Sequence, residues 1–353
     1  MTGPRLGFFT RLLEDAPAHE RYRFALEQIA GAETAGFASA WIAQHHFSAD
    51  EGGLPSPFVL LAAASERTSR IGLGTAVVTL PLDEPLRAAE DAAVVDRLSG
   101  GRVQLGISSG GTPSSFAAFG RDHERRRETF AEHFAVFVDA LAGWGVRGTE
   151  SRVYPEPGDL ERRVWQATFS VDGGVRAGAR GDGLLLSRTQ PRDAPDAPLH
   201  EVQLPLIEAY RAALPAGAPF RVLASRTAFV VDPEDRTRAL ELAEDGLRRI
   251  AGTLHGVDAD GLGIDELVRV TDTHVGTVDE VVASLSADAA IPASTDVSFQ
   301  VHSIAATHEL TLRSLELLAS EVAPRLGYRT GESAAASLRD AHRPIVHETE
   351  GVS

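Results

Sequence analysis

Eight times along this chain a short apolar run gives way to a segment with helical spacing, and that alternation limits the fold more than any other feature. The runs are Arg5 to Phe9, Ala40 to Ala43, Ile71 to Val78, Val103 to Ile107, Val164 to Thr168, Gly183 to Ser187, Arg221 to Val231 and Thr295 to His302. The third, Ile71-Gly72-Leu73-Gly74-Thr75-Ala76-Val77-Val78, is apolar almost without interruption, as a parallel strand buried on both faces must be. Between the first two runs, Tyr22, Ala25, Leu26 and Ile29 repeat at i, i+3, i+4, i+7, and Gly36 stands where a left-handed helix cap is wanted. Ser56-Pro57 and Asp232-Pro233 read as helix starts, and Thr277 with Glu280 has capping-box spacing. Strand-then-helix units without an evident break predict the α/β class, a (β/α)8 TIM barrel with loop insertions, as one domain over residues 1–328. Residues 143–162 read as an excursion, 256–275 as a loop or short insertion, and 329–353 as a polar, loosely held tail. No GxGxxG follows the first strand, which weakens an open dinucleotide-binding sheet.

Composition then removes chemistries. The chain has no cysteine, so thiolate catalysis and Cys-ligated metal clusters are excluded. It also has no lysine, which excludes Schiff bases, covalent pyridoxal phosphate and a Walker-type phosphate loop. A formal net charge of −16 argues against nucleic acid or an anionic membrane as partner. There is no apolar run of membrane-spanning length and no cleavable leader pattern, so the expected location is cytoplasmic.

In a barrel the chemistry gathers at the C-terminal ends of the strands. Here those ends are Thr10-Arg11, Gln44-His45-His46, Ala76 to Leu80, Ser108 to Thr112, Thr168 to Gly174, Ser187-Arg188-Thr189 and His302-Ser303. They offer imidazoles, hydroxyls and arginines but no carboxylate pair. His45 and His46 could act as a general base or be packed and hydrogen-bonded, and strand geometry lets at most one of them face the mouth. His45, His46, Asp50, Glu51, His123 and His302 could ligate a metal, but no HxH or HExxH spacing occurs, and a solvated acidic loop is the plainer account. The small-residue turns Ser108 to Thr112 and Ser170 to Gly174 could be ordinary loops. Two of them on one rim favour a phosphorylated cofactor.

The segments Trp41-Ile42-Ala43-Gln44-His45-His46-Phe47, Pro55-Ser56-Pro57, Arg67 to Val77, Pro85 to Asp91 and Leu98 to Gly106 resemble, in order and spacing, the bacterial luciferase-like flavin monooxygenases, in particular the FMN-dependent subgroup. The resemblance implies a barrel that binds reduced FMN as co-substrate, or in another branch F420, and in the monooxygenases uses O2 to oxidise a small organic substrate. It implies a separate flavin reductase and a homodimer packed through the helices after the second and third strands. Carried over by position, His45 would exchange a proton during oxygen transfer, and His46 would be structural. Ala76 and Val77 would lie against the flavin with a cis peptide between them. Ser170, Val171 and Gly174 would hold the phosphate through backbone amides, beside Thr168. Ser108 and Ser109 stand where the light-emitting luciferase subunit has Cys-Arg, so the phosphate needs another cation: Arg11, Arg176 or Arg188, with Arg188 preferred. An F420-dependent hydride transferase and a non-catalytic flavin-binding protein are the alternative functions, and a metal-dependent hydrolase a remote one.

Overall fold

The computed structural model describes residues 3–192, 194, 197–301 and 306–341. Its strands are β1 (Arg5–Thr10), β2 (Ser39–Ile42), β3 (Gly72–Thr79), β4 (Val103–Ser108), β5 (Val164–Ala167), β6 (Gly183–Leu186), β7 (Val222–Val230), β8 (Thr273–Gly276) and β9 (Asp296–Gln300). Neighbour pairing runs β1-β2-β3-β4-β5-β6-β7-β9 and back to β1, all parallel, which closes a barrel of eight strands. Each expected run forms one of these strands, so the predicted TIM barrel is what the chain builds. His302 and Ser303, expected at the end of the last strand, lie outside the described residues.

β8 is an addition that the sequence reading placed in a loop. The nine residues of β7 serve three partners: the first part pairs with β6 and β9 and closes the barrel, while Thr227 to Val230 pairs with Thr273 to Gly276. A helix, Ile264–Val270, precedes β8 in the same segment. The Thr277–Glu280 capping box forms as expected and starts the helix Val278–Ser286.

The barrel's interior is filled by Trp41 and Trp165, both fully buried and packed edge to face with centroids 5.5 Å apart. Their strand neighbours Gly74 and Gly183 make the room, since a Cβ on either would come within 2.2 Å of the adjacent indole. Each indole N–H is paired, Trp41 with Ser39 Oγ at 2.8 Å and Trp165 with Gln104 Oε1 at 2.9 Å. Below them the chain's end departs from expectation. Residues Gly331–Asp340 form a helix across the N-terminal ends of β1 and β3, with Ala334, Ala335 and Leu338 buried. Leu338 packs into the cluster of Trp41, Trp165, Leu185 and Leu223. Arg5 donates to Ser337 O and Arg339 to Arg70 O. The segment is Ala-rich and mildly polar in sequence, but its small side chains are what allow close approach to the barrel floor.

Buried ion pairs hold the same lower end. The Arg5 guanidinium meets Asp296 through two 2.7 Å bonds, and Arg163 meets Asp96 at 2.7 and 2.8 Å. Both are bidentate, the geometry that compensates best for desolvation. No helix among the described residues is long and apolar enough to cross a membrane.

Candidate functional site

At the opposite end, β2 stops at Ile42 and the chain leaves the sheet through Ala43 into Gln44 and His45. Gln44 ties the strand ends together: its Oε1 accepts from the Thr79 amide at 2.7 Å, and its Nε2 donates to Pro55 O and Asp83 Oδ2, both at 3.3 Å. In the sequence Gln44 is named as part of a strand end but given no role. Its signal was a polar residue directly after a buried strand.

His45 is fixed by its backbone, whose amide donates to Leu54 O at 2.9 Å, and its Nδ1 stands 3.9 Å from Glu51 Oε2. The loop can close over the ring because Gly52 has no side chain; a Cβ there would lie 2.7 Å from His45 Cδ2. The imidazole lines a cavity of about 270 Å³ with Arg21, Phe47, Ser48 and Pro55. Burial, then the charges of Arg11, Arg188 and His46, push its pKa down to about 3, so the ring is neutral across the physiological range. His46 takes the other face, packed edge-on against Phe119 with centroids 4.9 Å apart.

The peptide between Ala76 and Val77 is cis, as the resemblance implied. The β3–β4 register slips at this point: Thr75 pairs with Leu105 and Val78 with Ile107, so Ala76 and Val77 together face one residue of β4. Ser108 sits beside Thr79 on β4, and its hydroxyl accepts from the Gly110 amide at 3.1 Å, shaping the turn. Ser109 follows, half-buried on the same rim.

After β5, Ser170 caps the helix Val171–Arg180 by accepting from the Gly173 amide at 3.2 Å, and its own amide donates to Thr168 Oγ1 at 3.1 Å. Gly174 does not serve as expected. Its amide is spent on Ser170 O at 3.1 Å, and its missing side chain accommodates Leu206 O of the neighbouring helix, 3.2 Å from where a Cβ would be. The first-turn amides left without an acceptor among the described residues are those of Val171 and Asp172. They suit the phosphate of a flavin. Arg176 is turned elsewhere, donating to Gln166 Oε1 at 3.1 Å and lying over the Phe130 ring.

Arg11 and Arg188 instead gather with His45. Arg188 Nε donates to Gln300 Oε1 at 2.6 Å; β6 and β9 are separated by β7, so this bond crosses the inside of the mouth. Burial, then Arg11 and Arg249, lower the Arg188 pKa to about 9. Arg11 donates to the Glu51 carbonyl; burial lowers its pKa to about 10, with Glu51 opposing and Arg249 adding to the shift. Gln300 was missed in the sequence because it ends a strand in which Asp296 and Ser298 are also polar, so nothing local sets it apart. Among the described residues no cluster of three or more metal-ligating side chains occurs, and the candidate His302 lies outside them.

The sequence profile described as luciferase-like monooxygenase matches residues 6–290. Among curated proteins, the chain is 31% identical over 185 residues to limonene 1,2-monooxygenase of Rhodococcus erythropolis, covering 50% of this chain and 48% of that protein. It is 41% identical over 108 residues to 4-hydroxyprotoasukamycin monooxygenase of Streptomyces nodosus subsp. asukaensis, covering 31% and 29%. The chain thus matches less than half the length of these relatives. A monooxygenase of Streptomyces bottropensis superposes with a TM-score of 0.74 at 24% identity, over 91% of this chain and 99% of that one. The oxygenating constituent of 3,6-diketocamphane monooxygenase from Pseudomonas putida, in complex with FMN, gives 0.72 at 19% over 92% and 98%. An F420-dependent secondary alcohol dehydrogenase gives 0.66 at 17% over 92% and 99%. Likeness at these identities speaks for the barrel alone.

Proposed function

Since the chain belongs to the luciferase-like monooxygenase family, we propose that it is a flavin-dependent monooxygenase that uses reduced FMN and O2 to oxidise a small organic substrate. The observation that carries the FMN reading is the Ser170-capped helix with the Val171 and Asp172 amides open, one strand from the Ser108 turn and two from the Ala76–Val77 segment. Reduced FMN, when bound, supplies the electrons that activate O2 for transfer of one oxygen atom. The chain itself, without thiol or amine, contributes binding, orientation and proton handling.

The residues divide that work. The helix amides hold the phosphate, and Ala76 and Val77 offer a flat surface to the ring. Ser108 and Ser109 border that surface and shape the rim. His45 is the proton-handling group at the mouth, and in the free protein it is a neutral imidazole, able to accept one hydrogen bond and donate another. A separate reductase delivers the reduced cofactor. A homodimer forms through the helices after β2 and β3; in support, Val59 and Leu98 are 72% and 52% exposed on them.

An F420-dependent hydride transfer is the second reading. The cationic group Arg11, Arg188 and Arg249 favours it, since F420 carries several acidic groups. Anaerobic titration with reduced FMN and reduced F420 decides between them. The FMN reading requires tighter binding of reduced FMN than of either oxidised FMN or reduced F420, followed by O2 consumption with substrate. Saturable binding of F420 with none of FMN overturns it.

A further inference from the structure

We propose that Arg11, Arg188 and Gln300 form a subsite for a carboxylate, or a comparable oxyanion, on the organic substrate, set beside His45. The inference deepens the monooxygenase reading and rests on it for the word substrate; the anion site itself stands on its own geometry. Arginine has only donors, so the 2.6 Å contact with Arg188 Nε fixes which end of the Gln300 amide faces it: the oxygen accepts, and the nitrogen points away as a donor. Gln300 is fully buried, and its Nε2 has no acceptor among the described residues. The buried Arg11 Nε likewise has none. The strongest charges acting on Arg188 are two more cations, Arg11 and Arg249. Glu51 offsets Arg11 in part, but its carboxylate lies at the rim, 48% exposed. A cluster of buried donors with like charges and unfilled hydrogen bonds is complete only when oxygen acceptors carrying negative charge are added.

The cofactor's phosphate is the other source of such oxygens, and ring geometry separates it from Arg11; Arg188 follows β6, beside β5, and is assigned by the comparison of FMN with riboflavin. Ser170 follows β5, whereas Arg11 follows β1; these strands are four apart in a ring of eight and so lie on opposite sides of the mouth. A phosphate on the Val171 and Asp172 amides does not also reach Arg11. The subsite also gives His45 a reason for its setting. Burial chiefly, then the Arg11 and Arg188 charges, suppress its proton affinity; an anion that neutralises the two arginines removes their part, so the base strengthens when substrate arrives.

The test uses the full chain without flavin, with benzoate as the anion and benzamide as its neutral counterpart. The readout is the His45 imidazole nitrogen shift, assigned by its loss in His45→Gln. Benzoate, added near neutral pH where it is fully ionised, is expected to shift the His45 nitrogen signal saturably, and benzamide to leave it unchanged. Arg188→Gln is expected to weaken benzoate at least tenfold. Gln300→Glu, which builds a carboxylate into the site, is expected to raise the His45 pKa without ligand and to abolish the benzoate response; it also guards against a fold defect in the arginine variant. Equal effects of benzoate and benzamide overturn the proposal. So does an Arg188→Gln variant that loses affinity for FMN but not riboflavin, which would make Arg188 a phosphate ligand. Benzoate binding without binding of reduced FMN supports the subsite and removes the monooxygenase reading; the reverse pattern removes the subsite alone.

Discussion

Leu338→Ala tests whether the last helix is part of the barrel. Leu338 is 1% exposed and packs into the Trp41, Trp165, Leu185 and Leu223 cluster. It also fills space that Gly72 leaves: a Cβ on Gly72 would stand 2.6 Å from Leu338 Cδ2. Truncating a buried leucine among large neighbours costs about 2–5 kcal/mol, because rigid indole rings cannot collapse into the gap. Taking about 3 kcal/mol, and an unfolding entropy near 0.7 kcal/mol/K for a chain of this length, the melting temperature falls by ~4 °C. The assay is thermal unfolding followed by circular dichroism, beside a chain ending at Tyr328 followed by tryptophan emission. The shorter chain uncovers the floor under Trp41 and Trp165, so its emission moves to the red. A melting temperature within 1 °C of the parent, together with unchanged emission in the shortened chain, would refute the packing argument.

Val171→Pro removes one open amide at a position where proline is compatible with the helix start; the loss of one charge-assisted bond, about 1.5–3 kcal/mol, predicts ~10- to 100-fold weaker FMN and unchanged riboflavin in parallel titrations. His45→Ala is expected to cut turnover by about 10²–10⁴ with flavin affinity retained; unchanged turnover would take His45 out of the chemistry. The His45 pKa falls on folding to about 3 under burial, Arg11, Arg188 and His46, with Glu51 facing the ring. Its contribution to stability is therefore complete above the unfolded value of roughly 6.5 and is lost as pH drops from there through the folded value. His45→Gln should lose less stability than the parent between pH 7 and pH 4 in denaturant titrations; identical losses would contradict the shift. Val59→Glu with Leu98→Glu should yield monomers by sedimentation, and an intact dimer would place the interface elsewhere.

Most barrel strands were legible because parallel strands covered on both faces are largely apolar, as in Gly72–Thr79 and Gly183–Leu186; Asp296–Gln300, with three polar residues in five, was legible chiefly as the eighth unit of the alternation. Thr273-His274-Val275-Gly276 was not legible: four residues with two polar side chains acquire strand character only by pairing with the overlong β7. The helix Gly331–Asp340 was lost for the opposite reason, since alanine and serine carry little hydrophobic signal and Leu338 alone marks its buried face. Within the site, His45 and the Ala76–Val77 segment could be read because they sit at strand ends with recognisable neighbours. Gly174 misled because a glycine near a helix start suggests an open amide, while packing against Leu206 is what this one serves. Gln300 and Gln44 act through their side-chain amides on partners 112 and 35 residues away, and separation of that kind leaves no local pattern.

The filled floor has a kinetic meaning. With Trp41, Trp165 and Leu338 blocking the bore, everything that enters the mouth must leave by the same door. Two molecules bound at different depths then form a queue. The deeper one arrives first and departs last, whatever their relative affinities, and steady-state patterns should show compulsory order with the shallower ligand as a dead-end trap when it comes too early.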